Sequence, residues 1–147
     1  MTIYKGKIKG DLTLAKGDDA TKVTSIGGYL YVSEGATCDL PLVTSIGGYP
    51  IPNADAVHVR LKAIAEQVVN NPATLEMGKW HCGTTHCLAG WAVHLASSGY
   101  QLEKKVGSTL LAGNILLSVE PSRLFFAEKG KVLAMLQGVL DAGSANA

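Results

Sequence analysis

Three of the chain's four histidines, two of its three cysteines and both tryptophans fall in one run, Lys79-Trp80-His81-Cys82-Gly83-Thr84-Thr85-His86-Cys87-Leu88-Ala89-Gly90-Trp91-Ala92-Val93-His94. Thiols and imidazoles do chemistry when a concave site gathers them, and three readings fit these residue types. In the first, Cys87 or Cys82 is a nucleophile and His81, His86 or His58 its base, which requires the two groups within hydrogen-bond reach. His94 does not suit Cys87, since seven residues of helix rise by roughly 10 Å, and no orienting Asp or Asn stands out nearby. In the second, His81, Cys82, His86 and Cys87 hold zinc. The donors are right for that metal, but adjacent His-Cys pairs diverge, so Cys38 or His58 would have to complete a site. In the third the run is structural: Trp80 and Trp91 pack, the threonines cap a helix, the histidines bond neighbouring backbone, and Gly90 admits another element. The protein then works by binding, with Trp80, His81, Thr84, Thr85, His86 and Trp91 as candidate contacts. Neither a metal nor a cofactor is expected.

The elements that must position these groups can be read from spacing. Leu88, Trp91, Ala92 and Leu95 recur with helical period and define a buried helix face. Cys82-Gly83 reads as the preceding turn, Thr84 or Thr85 as the N-cap, and Gly99 as the C-terminal stop. With that cap, Cys87 falls in the first helical turn. Free N–H groups and the helix dipole favour a thiolate there, and protonated His81 and His86 would add to the effect.

Ahead of this run lies an internal repeat. Val23-Thr24-Ser25-Ile26-Gly27-Gly28-Tyr29 recurs letter for letter as Val43-Thr44-Ser45-Ile46-Gly47-Gly48-Tyr49, twenty residues on. More loosely, Gly10-Asp11-Leu12-Thr13-Leu14 resembles Gly28-Tyr29-Leu30-Tyr31-Val32, and Gly17 echoes Gly35. A period of about 20 residues is at the short end of the leucine-rich and solenoid range. Each unit would give a short strand (Leu12-Leu14, Leu30-Val32, Ile51) and a turn, with Ile26 and Ile46 buried one above the other. So short a stack needs a cap, which the following helices supply. Its strand face or exposed edge is a second place for a partner to dock.

Pro50 and Pro52 mark the boundary. Asn53 caps a helix reaching about Asn70, with Val57, Leu61, Ile64, Ala65 and Val68 inward, and Pro72 prevents continuation. His58 lies at the edge of that face and reads as a boundary residue. Thr74 to Lys79 and Tyr100 to Lys105 read as connections. A helix capped near Ser108 carries Leu110, Leu111, Ile115 and Leu116, and Pro121 starts a short turn with Leu124, Phe125 and Phe126. A last helix from about Glu128 to Asp141 turns Val132, Met135, Leu136 and Val139 inward, and the tail from Ala142 is frayed.

With 13 basic and 12 acidic side chains the formal charge is +1, which argues against an electrostatic nucleic-acid binder. A hydrophobic fraction of 47% against 17% charged fits a packed globule with room for a buried protein–protein surface. Three cysteines form no disulfide framework, which favours a reducing compartment. No signal-peptide core opens the chain, and the apolar run Leu110 to Val119 is broken by Gly113 and Asn114 and too short to span a bilayer.

The run from Met77 to Ala96, with Gly99, Leu102, Val106-Gly107 and Phe125-Phe126 behind it, resembles a family of uncharacterised proteins from bacteria and their phages. The resemblance covers about Ala56 to Asp141, and the Trp-His and Thr-Thr-His-Cys elements are its most specific part. It implies no catalytic role; its phage and prophage setting implies a small effector or inhibitor acting on a host component. The expectation is therefore an α+β protein: a short repeat-built, leucine-rich or solenoid-like β layer over residues 1–52, and a bundle of about four helices over 53–147, the two sharing one core. The expected function is that of a small cytoplasmic interaction protein binding another protein, in the manner of a phage-type inhibitor of a host defence factor. A cysteine-dependent enzyme using Cys87 or Cys82 with a nearby histidine is the alternative.

Overall fold

Leu12, Thr13 and Leu14 lie in parallel register with Leu30, Tyr31 and Val32 in the computed structural model, which describes residues 1–36 and 39–145. These two short strands, β2 (Leu12–Leu14) and β4 (Leu30–Val32), alternate buried leucine or valine with outward residues, the period that makes a strand half-buried. A second sheet runs in the order β1 (Ile3–Ile8), β3 (Asp19–Ile26), β5 (Ser45–Ile46) and β6 (Tyr49–Pro50). β1 and β5 both pair parallel to β3. Ile26 is the register partner of Ile46, and each is 1% exposed. Gly17 and Gly35 both take the left-handed conformation in the turns that end β2 and β4.

The parallel pairing stops after β5. Gly47 and Gly48 have φ of 62° and 84°, the geometry of a tight two-residue hairpin, and β6 returns antiparallel, Ile46 opposite Tyr49. Ile51 therefore belongs to the return of this hairpin rather than to a further parallel strand; its N–H donates to the Thr44 carbonyl. The identical letters at Gly27-Gly28 carry no positive φ and lead onward into β4. There the glycines are needed for contact, since a Cβ on Gly27 would overlap the Lys9 carbonyl and one on Gly28 the Asp11 carboxylate.

Six helices follow, among the described residues, with a single 3-10 turn at Pro72–Thr74. α1 (Ala54–Val68) starts where Asn53 Oδ1 accepts from the Ala56 N–H, and buries Leu61, Ile64, Ala65 and Val68. α2 (Leu88–Leu95) is almost wholly buried, α4 (Thr109–Leu117) is capped by the Ser108 hydroxyl, and α6 spans Lys129–Ala145. Two helices were not legible: α3 (Gly99–Val106) and the one-turn α5 (Val119–Ser122). Gly99 does not stop α2. Ser98 takes the left-handed turn at φ 62°, and Gly99 begins α3 because a Cβ there would collide with the Val93 carbonyl.

The buried residues form two clusters. Leu12, Leu14, Val23, Ile26, Leu30, Val32 and Ile46 fill the β side. Ile64, Val68, Leu88, Val93, Leu117, Phe125, Val132 and Leu136 fill the helical side. Each such side chain contributes roughly 2 kcal/mol by leaving water. Leu111 and Val119 reach into the first cluster, and Tyr29 and Tyr31 lean on the second. Between them the fully buried Asn114 of α4 bonds the backbone of Leu30. No helix among the described residues is long and apolar enough to cross a membrane.

Candidate functional site

The chemistry-bearing run folds back on itself as a two-residue-per-strand hairpin, β7 (His81–Cys82) and β8 (Thr85–His86), turning through Gly83 at φ 61°. The turn is closed by the Thr85 hydroxyl, which donates to the Cys82 carbonyl at 2.8 Å, so Thr85 shapes the hairpin instead of capping α2. Thr84 is exposed at its tip. His81 and His86 are direct cross-strand partners, and their Nδ1 atoms are 2.7 Å apart.

The cap of α2 is Cys87 itself. Its Sγ accepts from the Gly90 N–H at 3.3 Å, and its thiol faces the Trp80 carbonyl at 3.8 Å. Gly90 makes room for that carbonyl, which a Cβ would strike. Burial pushes the Cys87 thiol up, against the smaller opposite pull of the Gly90, Ala89 and Cys87 N–H groups. The expected thiolate at the helix start thus meets the wrong environment: Cys87 is 2% exposed, and desolvation outweighs the dipole. Cys82 is exposed, with a free thiol.

α3 completes the cluster. Glu103 Oε2 lies 2.7 Å from His81 Nε2 and accepts from the Thr109 hydroxyl at 2.7 Å. One turn back, the Tyr100 hydroxyl is 2.9 Å from His94 Nδ1. His94, too far along α2 to serve Cys87, stacks on His86 instead, with ring centroids 4.5 Å apart and planes at 24°. Trp91 meets His86 edge-on, and its indole N–H donates to the Thr74 carbonyl. The hairpin, α3 and the start of α4 are therefore joined by one continuous set of polar contacts, Thr109–Glu103–His81–His86, and the separate His94–Tyr100 contact ties α2 to α3.

The proton positions follow from the bonds. An Nδ1···Nδ1 contact holds one N–H and one lone pair. With His81 Nε2–H donating to Glu103, His81 is either neutral, accepting from His86, or an imidazolium donating on both sides. Burial lowers the proton affinity of His86, the neighbouring His94 and His81 lower it further, and Glu103 acts in the opposite sense. Tyr100 is held above its usual range by burial and by Glu103.

Of the other candidates, His58 is exposed on α1, where it lines a separate cleft of about 460 Å³ with Leu40, Val57 and Val119. Cys38 lies outside the described residues. Trp80 is 36% exposed and stands edge-on to Phe126, which in turn packs on Tyr31. No three His, Cys, Asp or Glu side chains converge as metal ligands among the described residues.

Glu103, Tyr100 and Thr109 were not singled out by sequence, and His94 was weighed only as a base for Cys87. A helical reading of 99–106 would have placed Tyr100 and Glu103, three apart, on one face. No protein-family model, curated protein or solved structure matches the chain, so the resemblance of the Met77–Ala96 run rests on its residues alone.

Proposed function

We propose that the chain is a small interaction protein that acts by holding another protein against the face around the β7–β8 hairpin. One observation carries this reading: Cys87 and the three imidazoles of the run are engaged within the cluster, while aromatic side chains flanking them are partly open to solvent. Cys87 is buried as a helix cap and the three imidazoles bond within the cluster. Beside them Trp80 and Tyr100 are 36% and 48% exposed. Large aromatics at a surface rimmed by polar groups are the residues that most often dominate protein–protein affinity.

The partner class, a host defence factor met by a phage-type inhibitor, is carried by the resemblance of the Met77–Ala96 run. The near-neutral charge points to protein rather than nucleic acid as the target, and the free thiols of Cys82 and Cys87 to the cytoplasm as the setting. We read residues 1–52 as a repeat-built, solenoid-like scaffold capped by the helices of 53–147. The parallel registers of Leu12 with Leu30 and Ile26 with Ile46 support this.

Affinity capture from host lysate tests the function, comparing the natural chain with Trp80→Ala/Tyr100→Ala. The expected result is one partner retained by the first and lost by the second, with unchanged circular dichroism. Equal capture by both would remove this face from the reading.

A cysteine-dependent enzyme is the second reading. It is favoured by the exposed free thiol of Cys82, next in sequence to His81, whose ring Glu103 orients; to serve as a base, His81 would have to give up its bond to His86. Burst-phase labelling of Cys82 by an activated ester, abolished in His81→Gln, would support it; labelling no faster than a free thiol peptide would remove it.

A further inference from the structure

We propose that His81, His86 and His94 form an acid-operated latch: one proton shared between His81 and His86 holds the two strands of the hairpin together, and protonation of both Nδ1 atoms opens the pair. The proposal concerns regulation of the face read above as the binding surface and rests on that reading only for its biological purpose.

The geometry sets the rule. The 2.7 Å Nδ1···Nδ1 contact bonds only while one of the two nitrogens keeps its lone pair. Protonating both turns the bond into two N–H groups facing each other. Compensation is scarce around His86. On β7 stands His81, and on α2 stand the stacked His94 and the uncharged Trp91 and Cys87. From α3 come Glu103, already engaged by His81 and Thr109, and Tyr100, engaged by His94. From the chain before the hairpin Glu76 gives His86 only its backbone N–H, its carboxylate accepting from Gly78. A cluster with three imidazoles and one carboxylate within reach can hold one positive charge well and a second poorly.

The released element is equally defined. Trp80 adjoins His81, and its carbonyl is tied to the Cys87 N–H. The Glu76 N–H pairs with the His86 carbonyl. Opening the histidine pair therefore loosens Trp80 and the strand contacts on both sides of the hairpin, leaving α1, α4 and α6 packed on their own apolar cluster. Buried histidine clusters that change charge between pH 5 and 7 are a recurrent way to bias a two-state element.

Amide hydrogen exchange of the chain alone at pH 7.5 and pH 5.0, corrected for the intrinsic pH dependence of exchange, tests the latch without a partner. Its failure and the failure of the binding reading are thus separable. The expected result is loss of protection on the order of tenfold at Glu76 and Cys87 in acid, with Val69, the C-cap of α1, unchanged. His81→Gln, which keeps a donor for Glu103 but cannot take a second proton, should lose this response. Equal protection of the hairpin at both pH values would overturn the proposal, and so would the same acid response in His81→Gln. Nitrogen-15 imidazole spectra of the natural chain guard against a variant that fails to fold. They should show one bare and one protonated Nδ1 in the His81–His86 pair at pH 7.5 and two protonated at pH 5.0; any other pattern overturns the proposal.

Discussion

Asn114 serves Leu30 as a neighbouring strand would: its Oδ1 accepts from the Leu30 N–H at 2.8 Å, and its Nδ2 donates to the Leu30 carbonyl at 3.2 Å. In a parallel pair alternate residues direct their backbone groups to opposite sides. Tyr29 accepts from Leu12 on the β2 side, so Leu30 faces the other way and finds a side-chain amide instead of another strand. The second Nδ2 hydrogen goes to the Ser122 hydroxyl, leaving the buried amide fully used.

Asn114→Leu should therefore be strongly destabilising although it makes the site more apolar. It strands a buried N–H and a buried carbonyl at about 1–3 kcal/mol each, for a loss on the order of 3 kcal/mol in urea unfolding. Asn114→Asp should be nearly as costly, because it keeps the acceptor but loses both donors. A change below about 0.5 kcal/mol for either would mean the bonds add nothing.

The two copies of the Val-Thr-Ser-Ile-Gly-Gly-Tyr heptapeptide should respond differently to the same substitutions. At Gly48, where φ is 84° and a Cβ would meet open space, alanine should cost about 1–2 kcal/mol of strain, and asparagine should recover most of it. At Gly28, its counterpart, where the obstacle is Asp11, asparagine should be no better than alanine. Thermal melts of the four single variants decide the matter.

The two described thiols should separate on alkylation at pH 7.5. Cys82, exposed in the hairpin turn, should label at the rate of an ordinary thiol. Cys87, buried and pushed up in pKa, should label on the order of a hundredfold more slowly until the chain unfolds. Peptide mapping by mass spectrometry assigns each site. Comparable rates would return Cys87 to the list of candidate nucleophiles.

Stability should fall on mild acidification. His86 binds its proton less readily in the folded chain than the ordinary imidazole value of 6.5. Below that value the unfolded chain therefore holds more protons. The contribution is fully present above 6.5, is lost as pH descends from there toward the folded value, and is flat below it. Asp18 and Asp19, whose carboxylates are held below 3.8 by backbone N–H bonds, act at lower pH and stay out of this window. Urea midpoints at pH 7.5 and 5.5 should differ, and by less in His86→Gln. A pH-independent midpoint would contradict the sign.

Sequence periodicity located what depends on local pattern: the strands at Leu12 and Leu30, the Asn53 and Ser108 caps, and the inward faces of α1 and α6. It missed what depends on contact. Whether a Gly-Gly pair turns back or runs on is decided by Leu111 beside Gly47 and by Lys9 and Asp11 beside Gly27-Gly28. Cys87 displaced the threonines as helix cap because the hairpin's own turn already claims the Thr85 hydroxyl. Glu103 joins His81 across 22 residues through a helix whose polar stretch, Gln101 to Lys105, carries little apolar signal.

Leu30 and Asn114 stand 84 residues apart. A ribosome adding about 5–20 residues per second leaves an interval of roughly 4–17 s between the synthesis of the two. A β2–β4 pair that forms before α4 has emerged lacks this partner along its outer edge. Emergence of α4 supplies it, so the position of one asparagine in the chain sets how late that edge can be closed.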